Sequence, residues 1–194
     1  WPDGSDEIMA LAAHNGLLVI FGKRQILIYE GAEDPATMAL ADTIVGIGCI
    51  ARDSVQVTGT DLIFLSDTGV RSLRRTIQEK SAPLTDISRN VRTELTQYIQ
   101  TETLNIISVY SPEEAFYLLH LPTSQITYCF DMRAPLEDGS HRATQWDTIN
   151  PQALCRTRSN DLLIGKDDGV AKYDGYTDNG VKYQMNYFTN YIDF

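Results

Sequence analysis

The sequence predicts an all-β protein folded as a β-propeller, and two observations carry that prediction. The first is a repeated unit of polar turn, short apolar strand, second polar turn and second strand. Its closest copies are Thr60–Val70 and Asn160–Val170; looser copies lie at Asn15–Phe21 and Glu113–Leu119. The second is the period. With Gly16, Asp61, Glu114 and Asp161 as equivalent points, the steps are 45, 53 and 47 residues. A spacing of about 45 residues with several short strands per unit is that of propeller blades. No such unit buries both faces of its own sheet, so the units must cover one another.

Along the chain the expected blades are 8–31, 50–75, 105–132 and 152–174. In the first, Asn15-Gly16 marks a tight hairpin turn, because both residues accept positive φ. Gly22-Lys23-Arg24-Gln25 marks the next reversal. Residues 31–43 read as a connection with one helical turn after Pro35. In the second unit Ser54, Gln56 and Thr58 alternate with Val55 and Val57, a period-2 strand pattern. Asp67-Thr68-Gly69 and Asp167-Asp168-Gly169 occupy matching turns, where Asp bonds nearby amides and Gly takes positive φ. In the third, residues 115–121 are almost continuously apolar, as in a strand covered on both faces. Between them, Ile87, Val91, Leu95, Tyr98 and Ile99 fall on one helical face, predicting a helical connection over 86–99 capped by Thr85 or Asp86.

Both ends read as cuts. The chain starts at Trp1-Pro2 and stops within an aromatic run, Tyr187–Phe194. Four units plus an unfinished strand predict part of a larger ring.

Hydrophobic residues make up 43% and charged residues 22% of the 194, with a net charge of −10. These are globular proportions. The acidic balance argues against a general nucleic-acid binder, which needs clustered cations to release counterions. No apolar run approaches the ~20 residues of a membrane-spanning helix. Cys49, Cys129 and Cys155 are widely spaced and odd in number, which predicts buried free thiols in a reducing compartment.

Little in the chain points to catalysis or cofactors. His14, His120 and His141 stand in unrelated settings, and no Gly-x-Ser-x-Gly elbow surrounds any serine. Asp174–Gly180 has a tyrosine where a calcium loop needs an oxygen ligand, so it reads as a solvated turn. Gly46-Ile47-Gly48 lacks the third glycine of a dinucleotide site. No catalytic, cofactor or metal residue is assigned. Six cations, Arg71, Arg74, Arg75, Lys80, Arg89 and Arg92, crowd one stretch of an acidic protein. They face an acidic neighbour or a phosphate backbone, or else form a solvated face paired locally with Glu79, Asp86 and Glu94; Arg71, Arg74, Arg75, Arg89 and Arg92 are the candidate subunit interface.

The run Cys49–Leu73, with its Thr60-Asp61-Leu62-Ile63-Phe64-Leu65-Ser66-Asp67-Thr68-Gly69-Val70 centre, resembles the propeller of short-tailed bacteriophage tail nozzle proteins. This is the tubular tail protein B family, and packaged-DNA stabilisation proteins look similar. Leu18–Phe21, Pro83–Leu95 and Tyr187–Phe194 fit the same pattern. The resemblance implies a non-catalytic virion protein of the tail, made in the host cytoplasm. It would oligomerise as a homo-oligomeric ring, commonly a hexamer, around the DNA exit channel and contact neighbouring tail or adaptor proteins. Its role would be to retain or conduct the genome during ejection, with only transient, non-specific passage of DNA and no membrane partner. Family members are much longer than this chain. Two alternatives compete with it: a cellular propeller acting as a protein-interaction scaffold, and a glycan-processing propeller enzyme with central carboxylates. The only Trp-Asp pair is Trp146-Asp147, so the commonest scaffold signature is missing.

Overall fold

The computed structural model describes residues 1, 4–79, 86–175, 177 and 180–182. Its strands form four antiparallel sheets in chain order. The first sheet is a meander of β1 (Ile8–His14), β2 (Leu17–Gly22), β3 (Gln25–Glu30) and β4 (Ala39–Val45). The second holds β5 (Gln56–Val57), β6 (Leu62–Ser66) and β7 (Gly69–Ser72). The third holds β8 (Ile107–Ser111), β9 (Phe116–Leu121), β10 (Ile126–Asp131) and β11 (Ala143–Trp146). The fourth holds β12 (Ala153–Arg156), β13 (Leu162–Lys166) and β14 (Gly169–Lys172). Two helices among the described residues, α1 (Leu73–Glu79) and α2 (Arg92–Thr101), separate the second sheet from the third. The chain is mostly β.

Turn chemistry sets the hairpins. Asn15 and Gly16 adopt φ of +51 and +75 and join β1 to β2, as Asn-Gly predicts. The two closest sequence copies fold as equivalent hairpins, one closing on Ser66 opposite Gly69 and the other on Lys166 opposite Gly169. Gly69 sits at φ +129, and a Cβ there would run into Ser88 Oγ. Glycine is therefore required twice over, by backbone conformation and by space. The local side-chain bonding comes from Ser66 rather than Asp67. Ser66 Oγ accepts the Thr68 N–H at 3.3 Å and donates to the Gly69 carbonyl at 3.1 Å.

Three apolar cores fill the spaces between successive sheets. In the first, Val19, Phe21, Ile26 and Ile28 meet Leu62 and Phe64. In the second, Ile63 and Leu65 meet Tyr117, Leu119, Leu121, Tyr128 and Phe130, with Leu95 of α2 alongside. In the third, Val109, Phe116 and Leu118 meet Leu162 and partly buried Leu154. Alternation explains the partition. Odd and even residues of a strand point to opposite faces, so β6 and β9 each serve two cores. Every residue of β6 and β9 is buried. Each large side chain so buried contributes about 1.5–3 kcal/mol.

The first strands of the last three sheets lie together. β8 runs beside both β5 and β12. Gln56 Nε2 donates to the Ser108 carbonyl at 3.2 Å, and Ser108 Oγ donates to the Asp53 carbonyl at 2.7 Å. A cavity of about 210 Å³ sits where these first strands converge, lined by Gln56, Ser108, Tyr110, Leu154 and Arg156 among others.

Residues 31–43 form the expected connection: one helical turn follows Pro35, with the Asp34 carbonyl accepting the Met38 N–H at 3.1 Å and its carboxylate the Ala36 N–H at 2.9 Å, before β4 begins. Three sequence expectations need correction. The Ser54–Thr58 alternation yields only the two-residue β5, because Arg52–Ser54 forms a 3-10 turn. The Ser54 hydroxyl closes that turn on the Ala51 carbonyl at 2.6 Å. The helical connection over 86–99 shifts to a 3-10 turn at Arg89–Val91 followed by α2. Residues 86–88 cannot join it. The Ile87 N–H bonds the Val70 carbonyl, and the Ile87 carbonyl accepts the His141 N–H. Asp86 is no cap either, since its buried carboxylate pairs with Arg92 at 2.5 Å. Finally, α1 occupies positions read as the end of a blade, and β11 extends the third sheet past residue 132. The Tyr187–Phe194 run lies outside the described residues, as does part of Asp174–Gly180.

The cysteines divide by environment. Cys49 is buried, Cys129 half-buried and Cys155 exposed, all as free thiols. The expectation of three buried thiols therefore fails at Cys155, whose side chain leaves β12 opposite Leu163. Burial raises the Cys49 thiol and pushes Cys129 up to about 12.

Candidate functional site

The candidate arginines surround the junction of the second and third sheets, where β7, α1 and the residues before α2 meet. They play different parts there. Arg71 is 5% exposed, and its guanidinium bonds Ser66 Oγ at 3.0 Å and Thr68 Oγ1 at 2.6 Å. It braces the β6–β7 turn from within. Arg92 reaches back to Asp86, whose side chain is wholly buried. Asp86 also accepts the Ser88 hydroxyl at 3.2 Å, and Ser88 Oγ in turn accepts the Val70 N–H at 2.9 Å. A relay thus runs from the β7 backbone to the start of α2. Burying one carboxylate is tolerable here because a cation and a hydroxyl satisfy it.

Arg89 faces Asp138 at 3.6 Å across a partly exposed gap. Arg75 donates one N–H to the Gly139 carbonyl and so ties α1 to the loop before β11. Arg74 is exposed; its backbone N–H donates to Asp61 Oδ1 at 2.9 Å, and its side chain makes no hydrogen bond or ion pair among the described residues. Of the five residues predicted as an interface, Arg71 and Arg92 serve mainly internal structure. Arg74, Arg75 and Arg89 present charge outward.

Arg74 and Arg75 border a cleft of about 470 Å³ between the two sheets. Thr58, Thr60, Gln78 and His141 contribute polar groups to it; Ile63, Ile87, Tyr110, Met132 and Pro135 supply an apolar wall. Among the described residues Asp61 is the one carboxylate of this lining, and it is already saturated. It accepts the Leu62 N–H at 2.8 Å, the Arg74 N–H at 2.9 Å and the Ser72 hydroxyl. His141 Nδ1 is 2.7 Å from the Asp131 carbonyl, which fixes the ring with that nitrogen as the donor. Burial holds this imidazole below its ordinary value; Arg75 adds to the effect, and the Asp131 bond opposes it. Asp131 itself is pulled down to about 2 by Arg133, which grips it through two nitrogens at 2.9 and 2.7 Å.

The other histidines stand apart. His14 is beside Asn15 at the first hairpin, and buried His120 bonds Thr127 Oγ1 at 2.9 Å within the third sheet. No nucleophile–base–carboxylate arrangement is formed by these three residues. The sequence reading found the cationic segment but missed the cleft. Thr58 and Thr60, Tyr110, Met132 and His141 lie far apart in the chain, and only the stacking of the sheets assembles them.

No family model matches the chain, and no curated protein matches it. Among solved structures, the AfRom2 CNH domain is similar at 14% identity with a TM-score of 0.40. That likeness covers 84% of this chain and 47% of the other, so the chain spans about half the length of that structure.

Proposed function

We propose that this chain is part of a β-propeller with a structural, non-catalytic role, in the tail nozzle of a short-tailed bacteriophage. One observation carries the propeller reading. The second and third sheets are covered on both faces by their neighbours, and the first strands of the last three sheets lie side by side. Face-to-face stacking of small antiparallel sheets with adjacent first strands is the geometry expected of blades around an axis. The outer face of the first sheet supports continuation of the stack. Leu11, Ile20 and Leu27 line up across β1, β2 and β3, as do Ala13, Leu18 and Tyr29. Leu11 is 62% exposed on this face and Ile20 is half-buried, while Leu27 is already buried. An apolar row of this kind calls for another sheet, from the same polypeptide or from a neighbouring subunit.

The viral assignment rests on the resemblance of Cys49–Leu73 and its flanking segments to nozzle proteins. The net charge of −10 suits such a role. A wall that gripped phosphates would stall a moving DNA strand, whereas a negative wall repels it weakly. Copies would form a homo-oligomeric ring, expected as a hexamer, against adaptor or other tail proteins, with Arg89 in the contact.

Mass photometry of the full-length protein tests this reading. Rings of about six subunits are expected. A monomer at all concentrations would contradict it and would favour the scaffold alternative, a ring closed within one polypeptide.

A further inference from the structure

The cleft between the second and third sheets holds positive charge that nothing in its described lining neutralises. Asp61 is its one carboxylate and is filled by two N–H groups and a hydroxyl. The nearby carboxylates are engaged too. Asp131 is gripped by Arg133, and Asp138 accepts the Ser140 N–H and hydroxyl and faces Arg89. Arg74 makes no side-chain hydrogen bond or ion pair among the described residues. Arg75 gives a single N–H to Gly139. The rest of its planar fork remains available.

We propose that this cleft binds a small phosphate monoester carrying a flat ring, the chemistry of a nucleoside monophosphate. Guanidinium forks match phosphate oxygens in bidentate fashion, and two on adjacent positions offset the charge of a dianion. The Thr60 hydroxyl and the Gln78 amide, neither bonded to another described group, add neutral donors at the same wall. The volume decides against inorganic phosphate alone. A space of about 470 Å³ lies within the range of small-molecule pockets and far exceeds one phosphate. Its other wall is apolar, formed by Tyr110, Met132 and Pro135. The half-buried Tyr110 offers an aromatic surface on which a base can stack. Charge on one side and an apolar wall on the other therefore select a ligand with both ends. This inference does not depend on the assembly reading.

Isothermal titration of the intact chain tests it, with adenosine monophosphate as the probe beside adenosine, inorganic phosphate and a short single-stranded DNA oligonucleotide. The monophosphate is expected to bind at least tenfold more tightly than either adenosine or phosphate. Arg74→Gln, which breaks no internal bond, is expected to weaken it by tenfold or more, with an unchanged melting temperature. Arg75→Gln should weaken it as well, and Tyr110→Ala should erode the preference over inorganic phosphate. Absence of heat with the monophosphate would overturn the assignment, as would equal binding in wild type and Arg74→Gln. Tighter binding of the oligonucleotide than of the monophosphate would also overturn it, in favour of a nucleic-acid groove.

Discussion

Tyr117 donates its hydroxyl hydrogen to the carbonyl of Ser54 at 2.8 Å, joining residues 63 apart in sequence. Tyr117 is the second residue of β9 and is wholly buried; Ser54 ends the 3-10 turn before β5. Ser54 is itself held from both sides, since its hydroxyl donates to Ala51 and accepts the Leu65 N–H at 3.0 Å. One phenol thus locks the third sheet to the entrance of the second. Burial raises its pKa well above the ordinary phenol range, so it remains a donor at any working pH. Tyr117→Phe keeps the ring and orphans the Ser54 carbonyl. The expected loss is about 1–3 kcal/mol, read from urea denaturation. No loss would mean that the carbonyl finds another partner.

The Asp86–Arg92 pair predicts an asymmetric pair of variants. Asp86→Ala removes the buried anion and with it the bonds that Arg92 and Ser88 make to that carboxylate. Because the Arg92 side chain is 37% exposed and partly screened by water, a cost of about 1–3 kcal/mol is expected, below that of a fully buried pair. Arg92→Met, in which the anion remains, should be no milder. The double variant should be less damaging than the sum of the two, giving a coupling above about 0.5 kcal/mol in a double-mutant cycle. Additive effects would show that the two residues act separately.

Alternation along β6 and β9 predicts which core substitutions couple. Phe21 and Phe64 share the first core with ring centroids 5.0 Å apart. Phe64→Ala should cost about 3–5 kcal/mol, and its effect should couple to Phe21→Ala. Leu118 belongs to the third core. Combining Leu118→Ala with Phe64→Ala should give additive losses within about 0.5 kcal/mol. Coupling of Phe64 to Leu118 would show that the cores are not separate.

Much of this stacking was legible from short-range patterns. Asn15-Gly16, the matching Thr60–Val70 and Asn160–Val170 hairpins and the doubly covered run through Phe116–Leu121 all formed as their chemistry dictates. The misreadings occurred where long-range bonds overrode local preference. Ile87 had helical spacing, yet Val70 and His141 claimed its backbone. Asp86 looked like a cap, yet Arg92 claimed its carboxylate. Burial of Arg71 had no sequence signal, because the hydroxyls of Ser66 and Thr68 that accommodate it read as ordinary turn residues. The cleft was invisible for a similar reason: its walls come from two sheets that meet only after folding.

Acid should weaken the fold in a window set by two histidines. Burial lowers both His120 and His141 from the ordinary value of 6.5. Below that value the unfolded chain takes up protons that the folded chain resists. Stability is therefore greatest above about pH 6.5 and falls as pH drops through the region beneath it. Asp131, held at about 2, retains its contribution until far more acidic pH and lies outside this window. The urea midpoint should be lower at pH 5 than at pH 7.5. An unchanged midpoint would mean that neither imidazole is held neutral by the fold.

Single-particle cryo-electron microscopy of the full-length protein measures the arrangement of the sheets most directly. The expected image is a ring of sheets around an axis, with β5, β8 and β12 innermost and a further sheet seated on Leu11 and Ile20. Density showing that apolar face bare to solvent, or the four sheets joined edge to edge in one open layer, would contradict it.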